Sequence, residues 1–449
     1  MPHFDHIIVG AGIAGLNYAN NLFRAGHGRS DSSKNKPSVL VLEASEEIGG
    51  RTRMTRFKGC LVPTGAGVGR LGKDNALRAL VSDMGIPMTD HAPGSVRYHF
   101  PNVNRRSSIP RHSATRTPPA NVRKLYLYML RQLDSVPAEG RTFREYATEC
   151  LQGSKSLYQR FVDSTGYTDF ESADAIDTLL HYGFDDTFES TPGHFSFNWN
   201  TLAQRLVEGH PTVVLKRARV THIVEHVARR ANTTSPRYAV HVQVVPAVVP
   251  AVVQVHLRRP TAETRIYTTQ HVVIATPAHV AVDILHADIA LHFPLLKYLK
   301  SNPFLRVYAK LDADEDSSRF MSAFRGYTVT GRPLHKIIPM DVRRRIYLIA
   351  YCDNASAIQL VHFAESKVHM EAIVLAVTGY RIRIRHLCKF FWQHGTHYLS
   401  PLSPADHARR SEILTCTRDR GVELIGEAYS STRGWTNGSL LSSRGRPSQ

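Results

Sequence analysis

The first 43 residues contain two short apolar runs separated by an amphipathic stretch. Phe4 to Val9 is the first apolar run, and Ile13 to Ala25 places apolar residues at helical spacing before Gly26. Ser38 to Leu42 is the second apolar run. The order strand, helix, strand is typical of a βαβ unit, in which a crossover helix joins two parallel strands. The pattern therefore predicts that an α/β protein with a parallel sheet begins here.

The remaining chain alternates between helical and extended segments. Residues from about 76 to 190 and from about 357 to 388 are predicted to be largely helical. The last segment, 422–443, is predicted as a strand, a glycine-rich turn and a short helix. Strands are predicted at 213–276, where prolines after Val244 indicate an edge hairpin or flap, and at 305–311 and 345–351.

Because helical and extended segments interleave, we expect two domains that are each built from separate stretches of chain. A chain of 449 residues is long enough for this, since single cores stop growing at roughly 250–300 residues. The first expected domain comprises residues 1–85, 190–290 and 400–449. The second comprises residues 86–189 and 291–399.

A glycine-rich sequence follows the first predicted strand and opens the helix. Gly10, Gly12 and Gly15 form the pattern G-x-G-x-x-G, with Ile13 and Ala14 before the last glycine. In such a motif the first glycine makes the turn, the second admits a pyrophosphate, and the third packs the helix on the strand. The N-terminus of the helix then stabilises the phosphate charge. The motif predicts a dinucleotide cofactor.

An acidic residue ends the second predicted strand, and a pair of glycines follows it. Glu43, followed by Ala44, stands where this motif places an acceptor for ribose hydroxyl groups. Gly49 and Gly50 allow close approach of the backbone to a ligand, and Arg51 offers a forked donor to phosphate. We therefore expect this segment to contact the cofactor as well.

The segment from Glu43 to Arg51 resembles the flavin-containing monoamine oxidase family, whose pattern is E-A-x-x-x-x-G-G-R. Ser45 stands where the family often has an arginine. Gly65 and Ala66 are similar to the family's glycine turn beside the flavin ring. Val220 matches a valine whose main chain meets the adenine in the family.

The most specific part of the resemblance lies at the end of the chain. Gly426-Glu427, followed by Gly434-Trp435-Thr436, is similar to the family's glycine-acid pair and its G-[YW]-x-x-G turn. The resemblance implies that Gly426, Glu427, Trp435 and Thr436 close over the flavin. It makes FAD the expected cofactor.

The resemblance also implies an aromatic cage for the substrate, formed by two rings that face the flavin. Trp435 occupies the first position, and Tyr398, in a predicted loop at 392–398, is the candidate for the second. Members with a covalent flavin use a cysteine in this loop, where this chain has His397. Non-covalent FAD is therefore expected, with a histidyl linkage as the alternative.

Two further positions follow from the resemblance. Many members have a lysine that holds a water at the flavin N5, and the matching strand places Arg306 there, with Lys310 as the competing assignment. Arginine stays protonated, so it holds a water but does not act as a base. Amino-acid oxidases of the family hold the substrate carboxylate with an arginine, and Arg70 lies near that position. This favours an L-amino acid or another acidic substrate.

The expected fold is α/β, with a Rossmann-type FAD-binding domain and an interleaved substrate domain of mixed sheet and helices. The expected reaction converts the C–N bond of an amine or L-amino acid to an imine while dioxygen is reduced to hydrogen peroxide. One alternative is another flavoprotein of this fold, of the desaturase or porphyrinogen oxidase type. The other is a catalytically degenerate, basic flavin-fold binding protein.

Charge is the unusual feature of the composition. Lys and Arg number 56 against 38 Asp and Glu, which gives a net charge of +18. Such an excess attracts polyanions, although charges spread along the chain also fit a basic solvated surface, with the densest stretch at 105–124. The five cysteines form no C-x-x-C pair, so no disulfide scaffold or metal site is expected. No apolar run has the length of a membrane span and no signal peptide is recognised, which favours a cytoplasmic protein.

Overall fold

The computed structural model of the chain is a mixed α/β structure built on two large sheets. It describes residues 1–26, 37–92, 94–102, 111–115, 120–182, 184, 190–191, 193–208, 211–225, 237–244 and 263–444. The helices are α1 (Ile13–Gly26), α2 (Asn75–Asp83), α3 (Val122–Arg131), α4 (Phe143–Cys150), α5 (Lys155–Thr165), α6 (Ala175–His181), α7 (Trp199–Arg205), α8 (Ala278–Ile284), α9 (Ala287–Ala290), α10 (Leu295–Tyr298), α11 (Glu315–Ala323), α12 (Asn354–Val361), α13 (Lys367–Thr378), α14 (Pro404–His407), α15 (Arg410–Thr415) and α16 (Thr436–Ser442).

The strands fall into the two large sheets and several two- or three-stranded ones. They are β1 (His3–Val9), β2 (Val39–Leu42), β3 (Met54–Phe57), β4 (Cys60–Pro63), β5 (Gly69–Arg70), β6 (Thr89–His91), β7 (Gly94–Ser95), β8 (Arg97–Asn102), β9 (Arg111–Thr115), β10 (Ser190–Thr191), β11 (His194–Ser196), β12 (Val213–Leu215), β13 (Ala218–Glu225), β14 (Tyr238–Val244), β15 (Glu263–Ile274), β16 (Leu299–Leu311), β17 (Thr328–Thr330), β18 (Lys336–Asp341), β19 (Ile346–Asp353), β20 (Ile384–Leu399), β21 (Arg418–Asp419) and β22 (Val422–Leu424).

The first large sheet contains the predicted βαβ unit. Its strand order is β12-β2-β1-β15-β14-β13, and β22 joins it beside β15. The strand β1 pairs in parallel with both β2 and β15, which confirms the predicted parallel start. Alternate residues of β1 enter different cores: Ile7 and Val9 pack on one face of the sheet, and Ile8 packs on the other. Burial on both faces explains why this strand is a continuous apolar run.

The second large sheet has the order β20-β16-β19-β18-β17-β8-β9. The central strand β16 pairs antiparallel with β19 on one side and β20 on the other. On one face Leu305 and Val307 pack with Phe320 of α11. On the other face Tyr308 packs with Phe57 of the β3–β4 hairpin. This second face is the one that reaches the site described below.

The prediction of a helix continuing to residue 388 is wrong. The helix α13 ends at Thr378, and Gly379 closes it in a left-handed conformation with φ of 73°. The strand β20 then runs for 16 residues from Ile384, and nearly all of it pairs with β16. Tyr398 therefore lies in a strand and not in the predicted loop. Pairing with a strand more than 70 residues earlier in the sequence overrides the local pattern.

The prediction that residues 76–190 are largely helical holds only in part. Helices α2 to α6 occur there, but the strands β6 to β9 interrupt them. The strand β8 pairs in parallel with β17, which follows more than 200 residues later, so the partner that makes it extended is remote. The predicted flap after Val244 lies outside the described residues, and so does half of the basic stretch 105–124. None of the helices among the described residues is long and apolar enough to cross a membrane.

Candidate active site: a flavin cradle and an aromatic cavity

The glycine turn after β1 is shaped by close backbone contacts. Gly10 adopts φ of 106°, and a Cβ on Gly15 would lie 2.1 Å from the Gly10 carbonyl oxygen. A Cβ on Gly12, in contrast, would meet nothing within 4 Å. Gly10 and Gly15 are thus required by the turn itself, whereas Gly12 borders open space.

The first helical turn of α1 leaves amide groups available toward that space. Leu16 donates to the Gly12 carbonyl, whereas the amides of Ile13, Ala14 and Gly15 have no acceptor among the described residues. Unpaired amides at a helix N-terminus beside a turn without side chains fit a pyrophosphate.

Glu43 holds the glycine turn against the next loop. One carboxylate oxygen accepts from the Ala11 amide at 2.8 Å, and the other accepts from the amide and hydroxyl of Ser45, each at 2.8 Å. Gly49 donates to the Ala11 carbonyl at 2.8 Å, so the two glycine segments lie side by side. Ser45, the departure from the family pattern, thus orients the acidic side chain. These contacts hold the segment that contains Glu43, Ala44 and the glycine pair against the first glycine turn.

Val220 lies close to the same corner. The Glu43 carbonyl accepts from the Ala218 amide at 2.8 Å, which places the start of β13 beside the end of β2. Val220 pairs with Val242 two residues further along β13, which is the terminal strand in the order of this sheet. The valine predicted to meet the adenine is therefore near the acidic side chain predicted to meet the ribose.

The glycine turn at residues 65–67 lies between two arginines. The Ala66 amide donates to the Arg51 carbonyl at 2.9 Å, and a Cβ on Gly65 would lie 2.1 Å from that same oxygen. On its other side, a Cβ on Gly67 would lie 3.6 Å from a terminal nitrogen of Arg306. This turn brings the predicted cofactor loop within reach of the second large sheet.

Glu427 connects the end of the chain to this corner. It is buried and accepts hydrogen bonds from Arg51 at 2.7 Å, from the Gly434 amide at 2.9 Å and from His397 at 2.5 Å. Burial alone would raise the pKa of Glu427, but His397, Arg51 and the Gly434 amide outweigh it and hold the pKa well below its usual value. The carboxylate therefore stays ionised and fixes the turn that carries Trp435.

His397 has both ring nitrogens engaged. Its Nε2 accepts from the Ala278 amide at 3.2 Å, which leaves Nδ1 as the donor to Glu427. A histidine bound in this way has no nitrogen free to attack a flavin methyl group.

Buried polar atoms without partners surround the same region. They have no hydrogen-bond partner among the described residues and lie on segments that border the glycine turns and the end of the chain. They are Thr276 Oγ1, Thr396 Oγ1 and Asn437 Oδ1. Buried polar groups are normally satisfied, so these atoms fit a site that a polar cofactor such as FAD completes.

A cavity of about 830 Å³ opens beside this cradle. Trp435, Tyr398 and Arg306 all line it. A Cβ on Gly434 would lie 3.8 Å from Thr396, so the turn that carries Trp435 packs on β20 near Tyr398. The structure therefore brings together the three residues that the resemblance proposes as catalytic.

Arg306 is buried and held by aromatic groups. Its guanidinium lies 4.2 Å from the ring centre of Tyr351, and it donates to the Tyr308 hydroxyl at 3.3 Å. Tyr308 in turn donates to the Pro63 carbonyl at 2.7 Å. Lys310, the competing residue, pairs across the sheet with His386 and is not among the residues that line the cavity.

Arg70 lines the cavity and is paired with Asp74. Its guanidinium donates to both carboxylate oxygens of Asp74, at 3.2 and 2.8 Å, and lies 3.5 Å from the ring centre of Trp435. The ion pair compensates the charge of the arginine and so weakens the argument for an acidic substrate. The arginine instead fixes the orientation of the Trp435 ring.

Besides Asp74, two further acidic residues of the cavity wall, Asp169 and Asp177, were not anticipated. Each carboxylate oxygen of Asp177 accepts a hydrogen bond from the guanidinium of Arg433 at 2.9 Å. Asp169 accepts from the Tyr182 hydroxyl at 2.6 Å, and burial together with the neighbouring charge of Asp353 raises its pKa to about 7. No spacing or motif in the sequence distinguishes these carboxylates from surface acids, because only the fold brings this segment to the cavity.

Comparison with known proteins agrees with this geometry. The family described as "Flavin containing amine oxidoreductase" matches residues 13–312. AofH of Mycobacterium tuberculosis (strain H37Rv), named as a flavin-containing monoamine oxidase, is 35% identical over 115 residues, which are 25% of this chain and 23% of that protein. The chain thus matches less than a quarter of that relative's length.

Solved structures of putrescine oxidase share the fold. The wild type bound to putrescine has a TM-score of 0.67 at 14% identity, and covers 98% of this chain and 97% of its own. A double variant has a TM-score of 0.68 at 14% identity, covering 99% and 98%.

The two-domain fold and the cradle define a flavoprotein. The chain belongs to the flavin containing amine oxidoreductase family, and its cofactor is FAD.

Proposed function

We propose that the chain is an oxidase that converts the C–N bond of a small amine to an imine and passes the electrons to dioxygen, releasing hydrogen peroxide. The observation that carries this proposal is the meeting of Trp435, Tyr398 and Arg306 in one cavity beside the Gly65–Gly67 turn. The cradle segments, drawn from 1–85, 190–290 and 400–449, would form the FAD domain, and 86–189 and 291–399 the substrate domain.

FAD, once bound, would accept a hydride from the amine and pass the two electrons on to dioxygen. The protein has three tasks in this reaction. Trp435 and Tyr398 exclude water and orient the amine. The fixed positive charge of Arg306 disfavours a protonated amine nearby and so favours the neutral, oxidisable form. Arg306 also has a buried Nε without a partner among the described residues, which can hold a water.

The substrate class that we propose is an aliphatic amine with a second cationic end, not an amino acid. Arg70 is occupied by Asp74, whereas Asp169 lines the cavity and has no arginine partner among the described residues. Asp169 and its neighbour Asp353 share the positive charge of Lys336, and a second ammonium group would supply further compensation. A putrescine oxidase of the same fold has been solved bound to putrescine, which supports a diamine.

The substrate proposal predicts a clear order among matched compounds. Pentane-1,5-diamine should be oxidised with a kcat/KM at least about 10-fold above that of L-lysine, because a buried carboxylate without a partner costs more than 1.4 kcal/mol. Peroxide release and anaerobic loss of the yellow colour measure this. Asp169→Asn should raise KM for the diamine and leave KM for pentylamine almost unchanged. Faster oxidation of lysine, or no bleaching with any amine, would contradict the proposal.

We also propose that the FAD is held without a covalent bond. Both ring nitrogens of His397 are engaged by Ala278 and Glu427. Acid precipitation of the purified protein should therefore release all flavin absorbance into the supernatant. His397→Ala should behave in the same way, apart from weaker binding. Colour that stays in the wild-type pellet and leaves it in the variant would establish a histidyl linkage.

A further inference from the structure

A cluster of basic residues lies at one end of the second large sheet, away from the proposed reaction. At this end β16 terminates, β20 begins, and a turn joins β18 to β19. The β3–β4 hairpin and the start of α13 lie beside it. We call the cluster the basic end; its members are Lys58, Lys310, Arg343, Arg344, Arg345, Lys367, Arg381, Arg383 and Arg385.

The members of the basic end are close to one another. His386 pairs with Lys310 across the sheet. Burial and then the charges of Lys58, Lys367, Arg385 and Lys310 lower the pKa of His386. These four basic side chains therefore surround one imidazole, at the point where β16 ends and β20 begins.

The hairpin and the β18–β19 turn belong to this surface as well. A Cβ on Gly59, which follows Lys58, would lie 3.5 Å from the Nε of Arg344. Arg344 forms an ion pair with Asp341. It is the one member of the basic end that has an ion-pair partner among the described residues.

The chain leading into β20 displays its arginines outward. Arg381, Arg383 and Arg385 are exposed, whereas Ile382 and Ile384 are buried. The alternation is that of extended chain with one face on the core. Arg385 lies in β20, which is the terminal strand in the order of its sheet, and Arg381 and Arg383 precede that strand. Burial of the isoleucines fixes the arginines on the solvent side.

Acidic residues after β16 lie beside only part of the basic end: the Asp312 amide donates to the Arg383 carbonyl at 2.9 Å, and the Arg383 amide donates to the Ser317 hydroxyl of α11 at 3.2 Å. Asp314, Glu315 and Asp316 lie at the start of α11, whose Phe320 packs with Leu305 on one face of the sheet. The β3–β4 hairpin packs on the opposite face. Lys58 and Arg344 therefore lie on the hairpin side of the sheet, whereas Arg383 lies close to the acidic start of α11.

Exposed aliphatic side chains flank the basic end. Val342, next to Arg343, is 52% exposed, and Val368, next to Lys367, is 73% exposed. Apolar side chains gain free energy when they enter the interface of a bilayer, and basic side chains are attracted to anionic head groups. A nucleic acid would be attracted by the basic charges but would gain little from the valines, since its bases stack on aromatic rings. The combination favours a lipid surface.

We propose that the basic end, together with Val342 and Val368, binds the surface of an anionic phospholipid bilayer and docks the enzyme there as a peripheral protein. The contact is electrostatic attraction followed by shallow insertion of the two valines. The Leu61 and Met340 side chains line the cavity from strands that lead to this end, so docking places one cavity wall near the bilayer.

The test is sedimentation of the full-length, FAD-loaded protein with vesicles. Phosphatidylcholine vesicles with phosphatidylserine should bind it at low salt, and vesicles of phosphatidylcholine alone should not. Each basic side chain near an anionic bilayer raises the affinity for it about five-fold. A variant that removes four such charges should therefore bind the vesicles less tightly by roughly several hundred-fold. That variant combines Lys58→Gln, Arg343→Gln, Lys367→Gln and Arg385→Gln.

A matched control removes the same number of charges from exposed positions on α3 and α5. It combines Lys124→Gln, Arg131→Gln, Lys155→Gln and Arg160→Gln, and it should bind vesicles like the wild type. Flavin content and thermal unfolding of both variants establish that they are folded. A double variant, Val342→Ser with Val368→Ser, should weaken vesicle binding but leave binding to heparin unchanged.

Three results would overturn the proposal. Equal loss of binding in the two four-charge variants would mean that net charge alone acts. If the wild-type protein does not bind phosphatidylserine vesicles but binds duplex RNA or single-stranded DNA, the partner is a nucleic acid. Vesicle binding that persists unchanged in the basic-end variant would place the contact elsewhere.

Discussion

Gly12→Ala should abolish the retention of FAD while leaving the apoprotein folded. A Cβ at this position meets nothing within 4 Å, so the protein itself accommodates the methyl group. The space that it fills faces the amides of Ile13, Ala14 and Gly15, which have no other acceptor among the described residues. Loss of two charge-assisted hydrogen bonds to phosphate would weaken FAD binding by about 100-fold or more.

Titration of the apoprotein with FAD measures this affinity, and thermal unfolding without FAD measures the fold. Gly15→Ala is the matched comparison, because its Cβ would lie 2.1 Å from the Gly10 carbonyl oxygen. That variant should lower both the stability of the apoprotein and its affinity for FAD. If Gly12→Ala also destabilises the apoprotein by as much as Gly15→Ala, the open space is not the cofactor site.

The cradle could be predicted from sequence because its chemistry depends on local backbone. The turn at Gly10 requires φ of 106°, and the glycine pair and Glu43 follow within one βαβ unit. Each feature therefore leaves a signature within a few dozen residues. The end of the chain behaves in the same way, since Gly426 also adopts a positive φ, of 127°.

The cavity was harder to predict because its walls come from remote segments. The strand β20 was missed, since only its pairing with β16 makes it extended. Asp169 lies in the cavity because the chain between α5 and α6 crosses Asn302 of β16, whose side chain donates to the Asp169 carbonyl at 2.6 Å. Arg70 was assigned to the substrate because its partner, Asp74, is a contact that residue type alone does not reveal.

Arg306→Met should lower kcat/KM for the amine by about 100- to 1,000-fold, the usual cost of removing one preorganised donor. Methionine keeps an unbranched apolar stem but removes the guanidinium that lies over Tyr351, and with it the charge and the donors. Arg306→Lys should recover much of the activity, because an ammonium group on a flexible stem can hold the same water. FAD affinity should change little in both variants.

Lys310→Met provides the control for position along the same strand. Lys310 and Arg306 share a face of β16 but are separated by roughly 13 Å at the rise of a strand, so only one of them can lie beside the flavin. Arg306 lines the cavity, whereas Lys310 pairs with His386 at the basic end. Stopped-flow mixing with dioxygen after anaerobic reduction separates reoxidation from amine oxidation in each variant. Normal kinetics in Arg306→Met together with slow reoxidation in Lys310→Met would transfer the catalytic role to Lys310.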